Sequence, residues 1–201
     1  MTIIAFISQK GGVGKSTLAQ ALASEAQKQK IKVLLADCDS QQATSQEWSK
    51  IQGKVPCQVF QQVKDIWPYA RQYELIIIDA PARTSQGTLE IAKRADLIIQ
   101  PTGASRADLI PAVKEFNALK KASISPKKLL FVLTRLSTPA EAKAVQEYLR
   151  KTGYAYSPFY IMEKASYKQV QNEGKSITQT KYQGLTRQAK ELVSSLLDYL
   201  N

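Results

Sequence analysis

Lys10-Gly11-Gly12-Val13-Gly14-Lys15-Ser16-Thr17 is the stretch on which the reading of this chain turns. An apolar, β-favouring run, Ile3-Ile4-Ala5-Phe6-Ile7, precedes it, and a helical pattern from Leu18 to Gln29 follows. Strand, Gly-rich loop, Gly-Lys-Ser and helix, in that order, describe a phosphate-binding loop. Glycines let backbone N–H groups turn inward around phosphate oxygens, and the following helix aims its positive end at the same anion. Lys15 is then placed to neutralise β- and γ-phosphates, and the Ser16 hydroxyl to meet Mg²⁺. Gly11, Gly12, Val13, Gly14 and Thr17 complete the predicted nucleotide contacts of the loop. The common signature has a glycine where this chain has Gln9, and here an extra lysine, Lys10, opens the loop.

Working outward, β and α patterns alternate along the whole chain. The predicted strands are Thr2–Ser8, Lys32–Ala36, Gln58–Phe60, Glu74–Asp79, Leu97–Pro101, Lys128–Thr134 and Ala155–Tyr160. The predicted helices are Lys15–Gln29, Gln41–Ile51, Gln61–Tyr73, Ser85–Lys93, Ala107–Lys121, Pro139–Lys151, Ser166–Glu173 and Tyr182–Leu200. Runs such as Leu75-Ile76-Ile77-Ile78 are apolar without alternation, as in strands covered on both faces. The last helix carries one apolar stripe, Leu185, Ala189, Leu192, Val193, Leu196, Leu197 and Leu200. This repetition predicts an α/β fold, a doubly wound, mostly parallel sheet with helices on both faces, as a single domain over 1–201.

Ligands of such a sheet sit beyond the carboxyl ends of its strands. Two apolar runs end there in acids, Asp37-Cys38-Asp39-Ser40-Gln41 and Asp79-Ala80-Pro81. Asp79 suits a metal role. Asp37 and Asp39 both stand at one strand end; one of them is expected to face the phosphates, and either also reads as a helix cap. With no histidine in the chain, catalysis falls to carboxylates, lysines and a nucleotide-bound metal.

The loop, DCDSQ and IIIDAP together resemble the ParA/MinD superfamily of P-loop NTPases, the deviant Walker-A type. The likeness covers nearly the whole chain and is most specific at these three motifs. It implies a Mg²⁺-dependent ATPase in which Lys10 reaches across an ATP-dependent homodimer to the partner's nucleotide. It implies that Asp39 orients the attacking water, that Ser16 and Asp79 serve the metal, and that Asp37 supports the site. Arg83 falls in what would be switch II, or is a solvated loop charge. Thr134 and Arg135 fall where family members contact adenine, or form an ordinary strand end.

The chain carries 28 Lys+Arg against 17 Asp+Glu, a net charge of +11. Residues 121–201 hold 13 basic against 6 acidic side chains, so the C-terminal part suits a polyanion best. Lys181, Arg187 and Lys190 are the predicted DNA contacts, with Lys120, Lys121, Lys127 and Lys128 as the alternative cluster. Two cysteines, Cys38 and Cys57, supply neither a disulfide framework nor an iron–sulfur site, which agrees with a reducing cytoplasm. As it stands, the sequence opens at a strand without a helix-turn-helix and ends without a basic amphipathic tail. That resembles the small plasmid-partition ParA type, which implies non-specific DNA of the nucleoid and a ParB-like or cargo adaptor as partners, and no membrane. A MinD-type division-site regulator and a metabolic P-loop enzyme are the competing readings. Liposome pelleting against DNA gel shift separates the first, and no motif for a small-molecule pocket supports the second.

Overall fold

The computed structural model describes residues 1–82 and 85–200, so Arg83 lies outside the described residues, as do Thr84 and Asn201. Seven strands form one sheet in the order β3-β2-β4-β1-β5-β6-β7, every neighbouring pair parallel. They are β1 (Thr2–Phe6), β2 (Val33–Asp37), β3 (Cys57–Val59), β4 (Leu75–Asp79), β5 (Leu97–Thr102), β6 (Leu129–Leu136) and β7 (Ala155–Met162). The helices are α1 (Lys15–Lys28), α2 (Thr44–Gln52), α3 (Ser85–Arg94), α4 (Arg106–Lys121), α5 (Pro139–Thr152), α6 (Ala165–Asn172) and α7 (Gln183–Leu197). The sheet expected to be mostly parallel is therefore wholly so.

Period-2 alternation explains the unbroken apolar runs. Ile3, Ala5, Ile7, Ile76 and Ile78 face one core, and Ile4, Phe6, Leu75 and Ile77 the other. On the first face Phe116 of α4 stacks against Phe131 with ring centroids 4.2 Å apart, and Tyr154 meets both rings edge-on. On the second, Leu18 and Leu22 of α1 and Leu192, Val193 and Leu196 of α7 close the layer. Tyr154 is buried, and Tyr156 and Tyr160 pack against the first core.

Two expected helices differ. Gln61–Tyr73 is a 3₁₀ segment over Val63–Gln72 with Pro68 inside it. Proline offers no N–H and crowds the carbonyl four residues back, so an α-helix does not run through. The helix expected from Gln41 starts at Thr44, because a turn closes first, with the Ala43 N–H donating to the Asp39 carbonyl at 2.7 Å.

The connection after α6 is bolted to α2. The Trp48 indole N–H donates to the Lys175 carbonyl at 3.1 Å. Gly174, at φ +70°, lies so close that a Cβ there would fall 2.6 Å from Ile51 Cγ2 and 2.8 Å from the Gln52 nitrogen. Gly174→Ala should therefore destabilise the protein by roughly 1–3 kcal/mol, from overpacking and a left-handed backbone together. Urea unfolding measures this, and an unchanged midpoint would refute the contact.

Candidate functional site

Parallel register brings the acidic strand ends level with the loop. Phe6 pairs with Asp79, and Asp79 pairs with Asp37 on the other side. The loop leaves β1 just beyond and opens on a cavity of about 530 Å³ lined by Lys15, Ser16, Asp39, Asp79 and Arg135, among others. Gly12 and Gly14 take positive φ, 74° and 98°. A Cβ on Gly14 would meet the Thr134 side chain at 3.6 Å. The Thr134 hydroxyl donates to the Val13 carbonyl at 2.7 Å, and Arg135 Nη1 to the Gly12 carbonyl at 2.9 Å. Both residues thus brace the loop from β6. The Thr134 hydroxyl is buried and spent on that bond, whereas the Arg135 guanidinium keeps free donors at the cavity mouth. Arg135 holds a left-handed φ of 57°, a conformation that costs a non-glycine residue energy and clusters at ligand sites. Among the described residues, no backbone oxygen outside α1 accepts from the N–H groups of Gly11 to Thr17. These unpaired donors at a helix start suit an anion.

Lys15 is 8% exposed. Burial lowers its pKa, and the negative charges of Asp79, Asp39 and Glu115 work against that shift. Asp79 is 2% exposed, and burial pushes its carboxyl up to about 6, with Ser16 and Ser45 beside it favouring the charged form. Ser45 donates to Asp79 Oδ2 at 2.7 Å, while Oδ1 is buried with no hydrogen-bond partner. A buried acceptor in that state awaits a ligand or a metal-bound water. Among the described residues, no group of three or more His, Cys, Asp or Glu side chains could hold a metal by itself. Mg²⁺ in general takes one or two protein oxygens and completes its shell with phosphates and water.

Asp37 and Asp39 differ in where their oxygens go. Asp37 Oδ2 accepts from the Ser45 and Gln46 N–H groups at 2.9 and 3.1 Å, and Oδ1 from that of Asp39 at 3.0 Å. It is the fully buried cap of α2, and burial raises its pKa against those three donors. Asp39 is half-buried at the cavity wall, with Oδ1 accepting only from the Gln42 N–H at 3.2 Å.

Lys10 points away from its own cavity, toward α4. Its ammonium pairs with Asp108 and lies 3.4 Å from the Ala107 carbonyl. That carbonyl is free because Pro111, four residues on, has no N–H to give it. Burial alone would raise the Asp108 carboxyl, but bonds from Lys10 and Ser105 overcome it and hold it below the usual carboxylate range. One turn and more further along α4, Glu115 is 4% exposed. It accepts from the Gln9 N–H at 3.3 Å and from Gln100 Nε2 at 2.7 Å. Burial pushes its carboxyl up to about 7, with the Gln9 bond and the charge of Lys15 opposing. Nothing in the sequence pattern singled out Asp108 or Glu115, since both are placed by helix phase and sheet order alone. Lys181, Arg187 and Lys190 are exposed, the last two on α7, and none of the three lines the cavity.

Residues 4–177 match the CobQ/CobB/MinD/ParA nucleotide binding domain. Over 185 residues the chain is 27% identical to the maintenance of carboxysome distribution protein A of Gloeobacter kilaueensis, covering 88% of this chain and 84% of that protein. A shorter match, 58% identical over 48 residues, is to an uncharacterized protein of Borreliella burgdorferi, and covers 24% of this chain and 19% of the other. The MinC:MinD cell division protein complex of Aquifex aeolicus superposes with a TM-score of 0.77 at 16% identity, over 98% of this chain and 96% of the other. A putative plasmid partition protein of Borrelia burgdorferi bound to AMPPNP superposes at 0.73 and 19% identity, over 98% of both chains. At these identities the structures share the fold.

Of the three raised carboxyls, Asp37, Asp79 and Glu115, the last sets a pH dependence that is read directly. The ordinary glutamate value is 4.5, and Glu115 in the folded chain stands near 7. The folded protein then holds this proton more tightly than the unfolded chain, so stability is full below about 4.5 and falls as pH rises through about 7. Glu115→Gln, neutral throughout, should flatten the fall by roughly 3 kcal/mol in urea unfolding of the nucleotide-free protein between about pH 4.5 and pH 8. Parallel slopes for the two proteins would show that Glu115 does not carry it.

Proposed function

This chain belongs to the CobQ/CobB/MinD/ParA nucleotide-binding domain family, and from that premise we propose that it is a ParA-type positioning ATPase. The observation that carries the reading is one cavity holding unpaired loop N–H groups, Lys15, Ser16 and the unpartnered oxygen of Asp79. ATP binds with its phosphates on the N–H groups of residues 11–17 and on Lys15. Ser16 and Asp79 hold Mg²⁺, which supplies positive charge to the β- and γ-phosphates. Asp39, the strand-end carboxylate with free acceptor capacity at the cavity wall, orients the attacking water.

Two subunits meet face to face across their nucleotides. For that, Lys10 leaves Asp108 and turns to the partner's phosphates. Its side chain is 42% exposed, and an ion pair so solvated contributes only about 0–1 kcal/mol, so a nearby triphosphate outcompetes it. The dimer doubles the basic area and binds DNA through phosphate contacts, without sequence preference. Hydrolysis, stimulated by a ParB-like or cargo adaptor, dissolves the dimer and frees the DNA. The net charge of +11 supports a polyanion partner. The carboxysome-distribution and plasmid-partition names of similar proteins support a cargo of that kind, carried over the nucleoid in the cytoplasm.

Sedimentation with ADP, ATP and a non-hydrolysable analogue, run beside DNA gel shifts, tests the whole reading. Lys10→Ala should bind nucleotide within about threefold of wild type yet form no ATP-dependent dimer. A normal dimer removes the cross-subunit role.

The DNA surface is tested separately. Replacing Lys181, Arg187 and Lys190 together by Ala should leave nucleotide binding and dimerisation intact. It should reduce the log–log salt slope of DNA binding by roughly 2–3 units per subunit. An unchanged slope moves the surface to Lys120, Lys121, Lys127 and Lys128.

A further inference from the structure

Five side chains between the loop and Asp79 form a continuous hydrogen-bonded relay, and its direction follows from its ends. An ionised carboxylate only accepts, so at the Asp79 end the Ser45 hydroxyl must donate, as it does at 2.7 Å. The Ser45 oxygen is then left to accept, and Gln20 Nε2 lies 3.4 Å away, with the Thr44 carbonyl at 3.5 Å. With its amide nitrogen so engaged, Gln20 turns its carbonyl to Gln171, whose Nε2 donates at 2.9 Å. That in turn leaves the Gln171 carbonyl to accept from the Thr17 hydroxyl at 3.3 Å. Every donor points the same way, from Thr17 through Gln171, Gln20 and Ser45 to Asp79. Gln20 is 2% exposed and Ser45 fully buried, so the middle of the relay is dry, where aligned bonds polarise and strengthen one another.

The two ends differ in chemistry. Thr17 stands beside the phosphate cradle, and its hydroxyl has a single proton to donate. Asp79 stands at the metal position. The relay also draws in α6, which carries Gln171 and whose following residues, Gly174 and Lys175, are fixed to α2.

We propose that Gln20 and Gln171 are positioning residues of this site, which hold the Thr17 hydroxyl and the Asp79 carboxylate in register and tie both to α6. A phosphate that accepts the Thr17 hydroxyl's hydrogen bond removes that donor from Gln171, and a cation at Asp79 weakens the hold on Ser45. Either event releases one end of the relay, so α6 is held differently in the filled site than in the empty one. α6 presents Lys168 to solvent and leads into Lys175 and Lys181, so the relay offers a physical route from nucleotide occupancy to the basic C-terminal surface. This inference rests on reading the cavity as a nucleotide site.

Amide hydrogen exchange of residues 165–175 in the full chain, with and without Mg-ADP or Mg-AMPPNP, tests it. In wild type the nucleotide should change exchange in this segment by about tenfold or more. Gln20→Met cuts the relay at its centre and touches neither end. With both proteins saturated by Mg-ADP, its α6 response should shrink below about twofold. Gln171→Met, at a half-buried position that tolerates substitution better, should behave alike and carries the test if Gln20→Met does not fold. A wild-type α6 response in a folded variant of either kind overturns the proposal. Wild type that binds nucleotide without any α6 response overturns it too, and leaves the nucleotide reading standing. Wild type that binds neither nucleotide overturns both.

Discussion

The register between β1, β4 and β2 determines where every charged group of the site stands. Phe6, Asp79 and Asp37 lie on one line across three adjacent strands, spaced by about 4.8 Å per strand. The loop leaves β1 from that line, so the glycine-rich loop, the Asp79 carboxylate and the cap of α2 share one level. A slip of one residue in β4 would turn Asp79 to the opposite face and bring Ile78 toward the cavity. What prevents the slip is burial. All five residues of β2 and of β4 are inside, and both sheet faces are sealed by helices, so either slip exposes or misplaces a whole strand of apolar side chains.

On that level an unusual density of buried charge is held in place. Lys15, Asp37, Asp79 and Glu115 are each less than a tenth exposed. Each is kept by a different device. Asp37 is satisfied by three backbone N–H groups, Glu115 by one backbone and one side-chain donor, and Asp79 by Ser45 on one oxygen alone. The incompletely satisfied members, Lys15 and Asp79, both line the cavity. Burying charge costs stability unless it is paired, and under the proposed function that cost is preorganisation for a phosphate and its cation.

α4 and α6 flank the loop from different directions and hold different parts of it. α1 and α4 pack on opposite faces of the sheet, as expected where strand order reverses beside β1. Glu115 on α4 fixes the backbone at Gln9, and Asp108 on the same helix draws Lys10 outward. Gln171 on α6 holds Thr17 at the loop's far end. The loop is thus gripped at its start and its finish by helices distant in sequence, while Thr134 and Arg135 of β6 brace its middle.

Fold class, strand positions and the phosphate loop were legible in the sequence because they rest on local physics. Side-chain period, glycine spacing and the acids that end apolar runs all act within a few residues of one another. The helix expected over 61–73 failed on an equally local fact, the proline at 68, read with too little weight. Asp37 and Asp39 were indistinguishable from sequence, since both follow the same apolar run two residues apart and either could reach the ligand. Only the packing of α2 over the end of β2 tells them apart, by spending both oxygens of Asp37 on backbone donors. Glu115, Asp108, Ser45 and the glutamine relay left no sequence signal at all. Each is an ordinary helix residue whose partner stands up to 154 positions away, and only a folded sheet brings such pairs within hydrogen-bonding distance.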